Sequence, residues 1–368
     1  MLPLRSPVAV RLRTTAALVG LVLVAAACSN GDGGHASSSP TTASEQGRKF
    51  HLIAPEGLRT ILTRERRSGR QDERSTTSSS STTTTTTLAP ATAPFTVGTS
   101  SQTFVDPTRT GPARGGAPPV AGRTLVTTIY YPTPASAPGS PPVVGPFPLL
   151  VFAHGYAIDA AAYAPLLHDL AAGGYVVAAP DFPGTSTAHP GEAVRADSLE
   201  EPADISYVIT SMIALSGQPG PLAGLVDPNA IGDAGQSDGA VVAGAAAYNT
   251  CCIDPRIKAS SLLTGGAFGF DGQWFPPGTP PVLFVHATAD EVNPYSASTS
   301  MFAQAQSPKY LFTIDGGSHL EVYVDPPWEE HVATAMVAFF DLYLKGDATA
   351  ADRLTAAGNT PGYRLESG

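Results

Sequence analysis

Three residues carry the types and the surroundings that acyl-transfer chemistry needs. Ser237 sits in Gly235-Gln236-Ser237-Asp238-Gly239, a G-x-S-x-G pentapeptide. Asp290 stands within Ala287-Thr288-Ala289-Asp290-Glu291-Val292-Asn293-Pro294, and His319 closes Gly316-Gly317-Ser318-His319. A serine hydroxyl is a weak nucleophile until a histidine takes its proton. The histidine in turn works best when a carboxylate fixes its tautomer and stabilises its cation. A serine, an aspartate and a histidine in that chain order are therefore candidates for attack on a carbonyl through an acyl-enzyme.

The pentapeptide alone is a weak signal, and the elements around it strengthen it. A strand is expected over 230–235 and a small-residue helix over 240–248, the strand–turn–helix setting of a nucleophile elbow. Asp290 follows the apolar run VLFVHA at 282–287, and His319 follows a strand expected at 310–314. Further short apolar runs at 149–153 (LLVFA), 175–179 (YVVAA) and 260–264 read as strands buried on both faces. Helical patterns fall at 163–172, 204–215 and 328–344. In the second of these, Ile205, Val208, Ile209, Met212 and Ile213 share a face and Pro202 lies just ahead. Strands alternating with helices at this rhythm predict a parallel sheet covered on both faces, with functional groups at the carboxyl ends of its strands. Two β-branched and aromatic segments, 95–105 and 123–131, read as antiparallel entry strands.

The run at 149–153 ends in His154-Gly155-Tyr156. Backbone N–H groups of Tyr156 and Asp238 are the expected oxyanion hole, with Gly155 permitting close approach of the backbone. Gly155, Tyr156 and Trp274 are expected to line the substrate. His154 has the position of a loop-shaping residue rather than a base. Asp315 and Glu321 flank His319 and are alternative acids, but neither sits at the right strand end. Asp238 suits the first turn of a helix and would also bias against anionic acyl groups. Only 17 residues separate 264 from 282, which leaves little room for a helical lid. The histidines lack metal-ligand spacing, so no metal and no cofactor are expected. Cys251 and Cys252 are adjacent and could pair only in a strained vicinal ring; buried thiols are the expectation.

With HGY, GQSDG, ATADEVNP and GGSH in this order, the chain resembles the α/β-hydrolase superfamily over nearly all of 95–345. Within it the chain is most similar to the dienelactone-hydrolase-like group, which includes chlorophyllase-like, platelet-activating-factor-acetylhydrolase-like and cutinase-like polyester hydrolases. The segment 123–132 and the stretches LAAGGYVVAAPDFPG and EEPADISYVI support the likeness. The resemblance implies an α/β-hydrolase fold, with a mostly parallel central sheet, helices on both faces and a minimal lid. It also implies serine-dependent hydrolysis of carboxylic esters, without fixing the substrate. Ser237 stands where true dienelactone hydrolases have cysteine, and Gln236 where a histidine is common. Gly232-Asp233 interrupts a strand that is normally apolar.

Composition divides the chain. It has 368 residues, 42% hydrophobic and 14% charged, with a net charge of −10 that argues against a nucleic-acid partner. Residues 1–74 hold 11 Lys/Arg against 6 Asp/Glu, whereas 75–368 hold 10 against 25. The acidic part predicts a preference for neutral esters. At the start, Arg5, Arg11 and Arg13 precede an apolar run over 16–27, which reads as an export signal at 1–27. The run is too short to span a hydrocarbon core of ~30 Å. It ends Ala25-Ala26-Ala27-Cys28, which resembles a bacterial lipoprotein signal with lipidation at Cys28; Ala25-x-Ala27 also suits ordinary signal peptidase. Residues 28–94 read as a disordered Ser/Thr-rich tether, 95–345 as the catalytic domain and 346–368 as a C-terminal tail. Within the tether, 58–67 could form a short amphipathic helix on an anionic membrane or remain a solvated linker. The expected protein is an exported ester hydrolase, anchored to the outer face of a bacterial cell membrane or secreted. The alternatives are an acyltransferase to an envelope alcohol and a non-catalytic surface-binding lipoprotein.

Overall fold

Six short runs rich in Val, Ile, Leu, Phe and Ala become the parallel centre of a nine-stranded sheet. A computed structural model describes residues 95–134 and 145–368. The expected export signal, Cys28 and the tether lie outside the described residues. The parallel strands are β3 (Phe147–Ala153), β4 (Val176–Asp181), β5 (Val226–Gln236), β6 (Ile257–Leu263), β7 (Val282–Ala287) and β8 (Lys309–Ile314). Every residue of β3 and β7 is buried, as strands covered on both faces require. A long antiparallel hairpin, β1 (Thr96–Gly111) and β2 (Val120–Thr133), forms one edge; β2 pairs with β4, Tyr130 lying opposite Val177. The strand order is β1-β2-β4-β3-β5-β6-β7-β8-β9, with β9 (Tyr363–Ser367) antiparallel at the other edge.

Seven α-helices accompany the sheet among the described residues: α1 (Ala164–Ala172), α2 (Glu201–Ser216), α3 (Asp238–Tyr248), α4 (Ser296–Gln304), α5 (Glu321–Val324), α6 (Trp328–Leu344) and α7 (Ala350–Gly358). On one face, Leu166 and Leu170 of α1 and Met336, Phe339 and Phe340 of α6 share a core with Leu150, Phe152, Val285 and Phe312. On the other, Ile205, Val208 and Met212 of α2, Val242 of α3 and Met301 of α4 pack with Leu149, Val151 and Phe284. With both faces covered and the carboxyl ends of the parallel strands aligned, the chain has the α/β-hydrolase fold. The stretch between β6 and β7 contains no helix, so no helical lid arises there.

Two expectations need correction. Residues 346–368 are not a tail but part of the domain: α7 buries Leu354 and Ala357, and β9 pairs residue for residue with β8 from Tyr310↔Ser367 to Ile314↔Tyr363. An edge strand packs only one face, so Tyr363 and Leu365 suffice to dock it, and the polar remainder disguises it. Cys251 and Cys252 are joined in a vicinal disulfide rather than left as thiols. The chain turns sharply there at the end of α3, with the N–H groups of Cys252 and Ile253 both donating to the Asn249 carbonyl. That turn brings the neighbouring sulfurs together. The Gly232-Asp233 interruption is accommodated within β5. A Cβ on Gly232 would lie 2.9 Å from the Ala259 carbonyl oxygen, and burial pushes the Asp233 carboxyl well above the usual carboxylate range.

Candidate active site

Ser237 occupies the sharp turn between β5 and α3, at φ 58° and ψ −122°, a region that residues other than glycine rarely adopt. Glycines make the turn possible. A Cβ on Gly235 would meet the Gly239 carbonyl oxygen at 2.2 Å, and one on Gly239 would meet the Ala153 carbonyl oxygen at 2.1 Å. The end of β3 therefore presses directly on the elbow. The Ser237 N–H donates to the Leu263 carbonyl at 2.9 Å, and its own carbonyl accepts from Ala240 and Val241 to begin α3.

The three predicted residues form one hydrogen-bonded run. His319 Nε2 lies 2.9 Å from Ser237 Oγ, and His319 Nδ1 lies 2.8 and 3.0 Å from the two carboxylate oxygens of Asp290. Asp290 is engaged on all sides: the Val292 and Asn293 N–H groups each donate to Oδ1 at 2.8 Å, the Thr264 hydroxyl donates to Oδ2, and His286 Nε2 is 3.3 Å away. Burial alone would raise this carboxyl, but hydrogen bonds from His286, His319 and Thr264 hold it well below the usual carboxylate range. An ionised Asp290 accepts only, so Nδ1 of His319 carries a proton and Nε2 is left to accept from the Ser237 hydroxyl. The His319 N–H donates to Glu291 Oε2 at 3.1 Å. Asp315 instead pairs with Arg364 at 2.5 Å, and Glu321 accepts from the Ser318 hydroxyl at 3.2 Å. Neither of these alternative acids contacts the imidazole.

Across the elbow lies the 154–157 loop. The Gly155 N–H donates to the Tyr163 hydroxyl at 3.3 Å, which donates to Gln236 Oε1 at 2.8 Å; Gln236 Nε2 donates to the His319 carbonyl at 2.9 Å. One glutamine thus ties the loop after β3 to the histidine loop. A Cβ on Gly155 would come within 2.8 Å of Gln236 Oε1, so a larger residue there would have to displace the glutamine amide. His154 is structural: the Phe182 N–H donates to its Nε2 at 3.0 Å, and its Nδ1 donates to the Gly155 carbonyl at 2.8 Å. Burial lowers its pKa, so the ring stays neutral. Ala157 holds φ 55°, and its N–H donates to the Thr185 carbonyl at 3.0 Å. Asp238 is the first residue of α3, where a backbone N–H has no intrahelical acceptor.

A stretch that sequence reading left without a role, 182–200, closes over this side. The Tyr156 phenol donates to the Ala193 carbonyl at 2.8 Å, and the Arg195 guanidinium lies 5.2 Å from the Tyr156 ring centroid. Arg195 Nη2 is 2.5 Å from Asp238 Oδ1. The turn bearing Arg195 is anchored from below by fully buried Arg123. Its Nη1 and Nη2 donate to Asp197 at 2.9 and 2.7 Å, and its Nε donates to Asp204 at 2.7 Å.

Trp274 does not join the group. Its ring packs against Phe270 and Phe275 and beside Gly244, which is about 10 Å along α3 from Ser237 at 1.5 Å per residue. Its apolar area covers the far half of that helix. Sequence reading missed Thr264, Tyr163, Arg195 and His286. Of these, His286 carried a signal: it is the one polar residue of the run VLFVHA, directly before the Asp290 loop.

Among curated proteins nothing matches the chain. A chlorophyllase family profile matches residues 129–264, from within β2 to just past β6, a span that holds the 154–157 loop and Ser237 but stops short of Asp290 and His319. Chlorophyllases fall within the α/β-hydrolase superfamily, in agreement with the sheet order, and the match supports hydrolysis of esterase type. In fold the chain is an α/β-hydrolase, and over residues 129–264 it is similar to chlorophyllase.

Proposed function

We propose that the chain is a serine hydrolase of carboxylic esters. The observation that supports this best is the unbroken run Asp290–His319–Ser237, with separations of 2.8 and 2.9 Å. Ser237 Oγ attacks the ester carbonyl carbon as its proton passes to His319 Nε2, and Asp290 stabilises the resulting imidazolium. The Tyr156 and Asp238 N–H groups receive the tetrahedral oxyanion; one such donor is worth ~3 kcal/mol in a comparable enzyme. His319 then gives its proton to the leaving alkoxide, releasing the alcohol. Water, deprotonated by the same nitrogen, attacks the acyl-enzyme and frees the acid.

The same proposal includes delivery. The chain is exported by its first 27 residues and held at the outer membrane face by lipid on Cys28, with 28–94 as a tether. Metabolic incorporation of an alkyne fatty acid, lost with Cys28→Ala, is the expected result; incorporation unaffected by that change would overturn the anchoring.

The catalytic test is a p-nitrophenyl ester series from acetate to dodecanoate. Ser237→Ala should lower kcat by at least about 10⁴, the scale of nucleophile removal in other triads. Adding competing alcohols separates hydrolysis from acyl transfer, because hydrolysis releases the free acid whatever alcohol is present.

A further inference from the structure

Three arginines in the described residues bridge two carboxylates each. Arg123 holds Asp197 and Asp204, Arg109 holds Asp106 and Asp204, and Arg353 holds Asp341 and Asp347. A guanidinium offers five N–H groups in a planar fork, so one edge can engage each carboxylate. Arg195, like Arg256 and Arg364, engages a single carboxylate. Its Nη2 engages Asp238, while Nε and Nη1 have no hydrogen-bond partner among the described residues. Its side chain is 42% exposed. It also sits where the chemistry is proposed, 5.2 Å from the Tyr156 ring centroid and paired with the residue next to Ser237.

The position is built. Arg123 fixes the 195–200 turn through Asp197, and a Cβ on Gly184 would lie 2.2 Å from Asp197, so the turn seats against the 182–186 loop. That loop in turn accepts the Ala157 N–H through Thr185. The guanidinium is therefore held relative to the 154–157 loop rather than waving in solvent. The backbone N–H groups of Tyr156 and Asp238 are the proposed oxyanion donors, and the side chains of those same two residues both contact Arg195.

We propose that Arg195 is a specificity residue that receives a second carboxylate, so that the preferred substrates are carboxylic esters bearing a free carboxylate a few bonds from the scissile carbonyl. This rests on the ester-hydrolase reading above. The acidic domain as a whole repels anions, but a charge–charge contact at a hydrogen-bonding distance outweighs a field screened over about 8 Å at physiological salt. Asp238 neutralises part of Arg195 and so tempers the selection.

The test compares mono-p-nitrophenyl adipate with p-nitrophenyl hexanoate, which have equal acyl length and differ by the terminal carboxylate. The readout is the ratio of their kcat/KM values at one ionic strength. Arg195→Gln should lower the ratio at least tenfold, and Arg195→Lys should restore part of it. Asp238→Asn, which frees the guanidinium, should move the ratio the other way by about threefold. A ratio that stays within twofold in Arg195→Gln, or in Asp238→Asn should the first variant fail to fold, overturns the inference. Absence of turnover on both esters by the unaltered protein would instead overturn the ester-hydrolase reading, so the two failures are distinct.

Discussion

On the histidine side of Ser237, one carboxylate is held by an imidazole, a hydroxyl and two backbone N–H groups, with a second imidazole close by. On the Tyr156 side, a network of arginines and carboxylates runs from Asp106 through Arg109, Asp204 and Arg123 to Asp197, and Arg195, two residues before Asp197, pairs with Asp238. The first arrangement directs one proton. The second fixes where a stretch of chain lies and sets the charge at its edge. Damage to the histidine side should therefore appear in turnover, and damage to the other side in stability and substrate choice. Gln236 hydrogen-bonds to both, through Tyr163 and the His319 carbonyl.

The largest effect should come from Asp290→Asn, which reverses the tautomer preference of His319. It should cut kcat by about 10⁴ while leaving the melting temperature within a few degrees. A loss of stability in place of activity would erase the distinction between the sides. Next comes Arg123→Ala. It leaves Asp197 and Asp204 without their main buried partner, and urea unfolding should show a loss of about 3–5 kcal/mol. Gln236→Leu keeps the volume and removes both hydrogen bonds. It should cost about 1–3 kcal/mol and lower kcat roughly tenfold, showing a turnover effect and a stability effect together. The smallest effect lies outside both sides. Burial, with Asp169 and Glu330 nearby, pushes the Glu329 carboxyl up to about 7 from 4.5. The folded chain therefore binds more protons than the unfolded one between those values, and stability falls as pH rises through the window. Glu329→Gln should raise the melting temperature at pH 8 and leave it unchanged at pH 4.5.

The same contrast decides what could be read before the structure. Ser237, Asp290 and His319 each follow an apolar run, so strand ends and residue types identify them without any knowledge of packing. The parallel centre of the sheet is legible for the same reason, because strands buried on both faces are continuous apolar words. The Tyr156 side is not legible in this way. Arg123, Asp197 and Asp204 are charged residues whose partners are set by tertiary contact, and nothing local marks them as buried. Arg195 lies in a loop without periodicity, and its neighbours Tyr156 and Asp238 are 39 and 43 positions away. Trp274, an aromatic in a proline- and glycine-rich loop, packs on α3, a contact that nothing local in the sequence marks. The strand at 363–367 escaped notice because an edge strand needs only Tyr363 and Leu365 to pack.

The central claim is that Ser237 is the residue that becomes acylated. An activity-based fluorophosphonate forms a stable phosphonyl ester with such a serine, and digestion followed by mass spectrometry locates it. The account predicts stoichiometric label on the peptide containing Gly235-Gln236-Ser237-Asp238-Gly239, loss of ester hydrolysis in proportion to labelling, and no label in Ser237→Ala. Label on another residue, or ester hydrolysis that persists in the fully labelled protein, would contradict it.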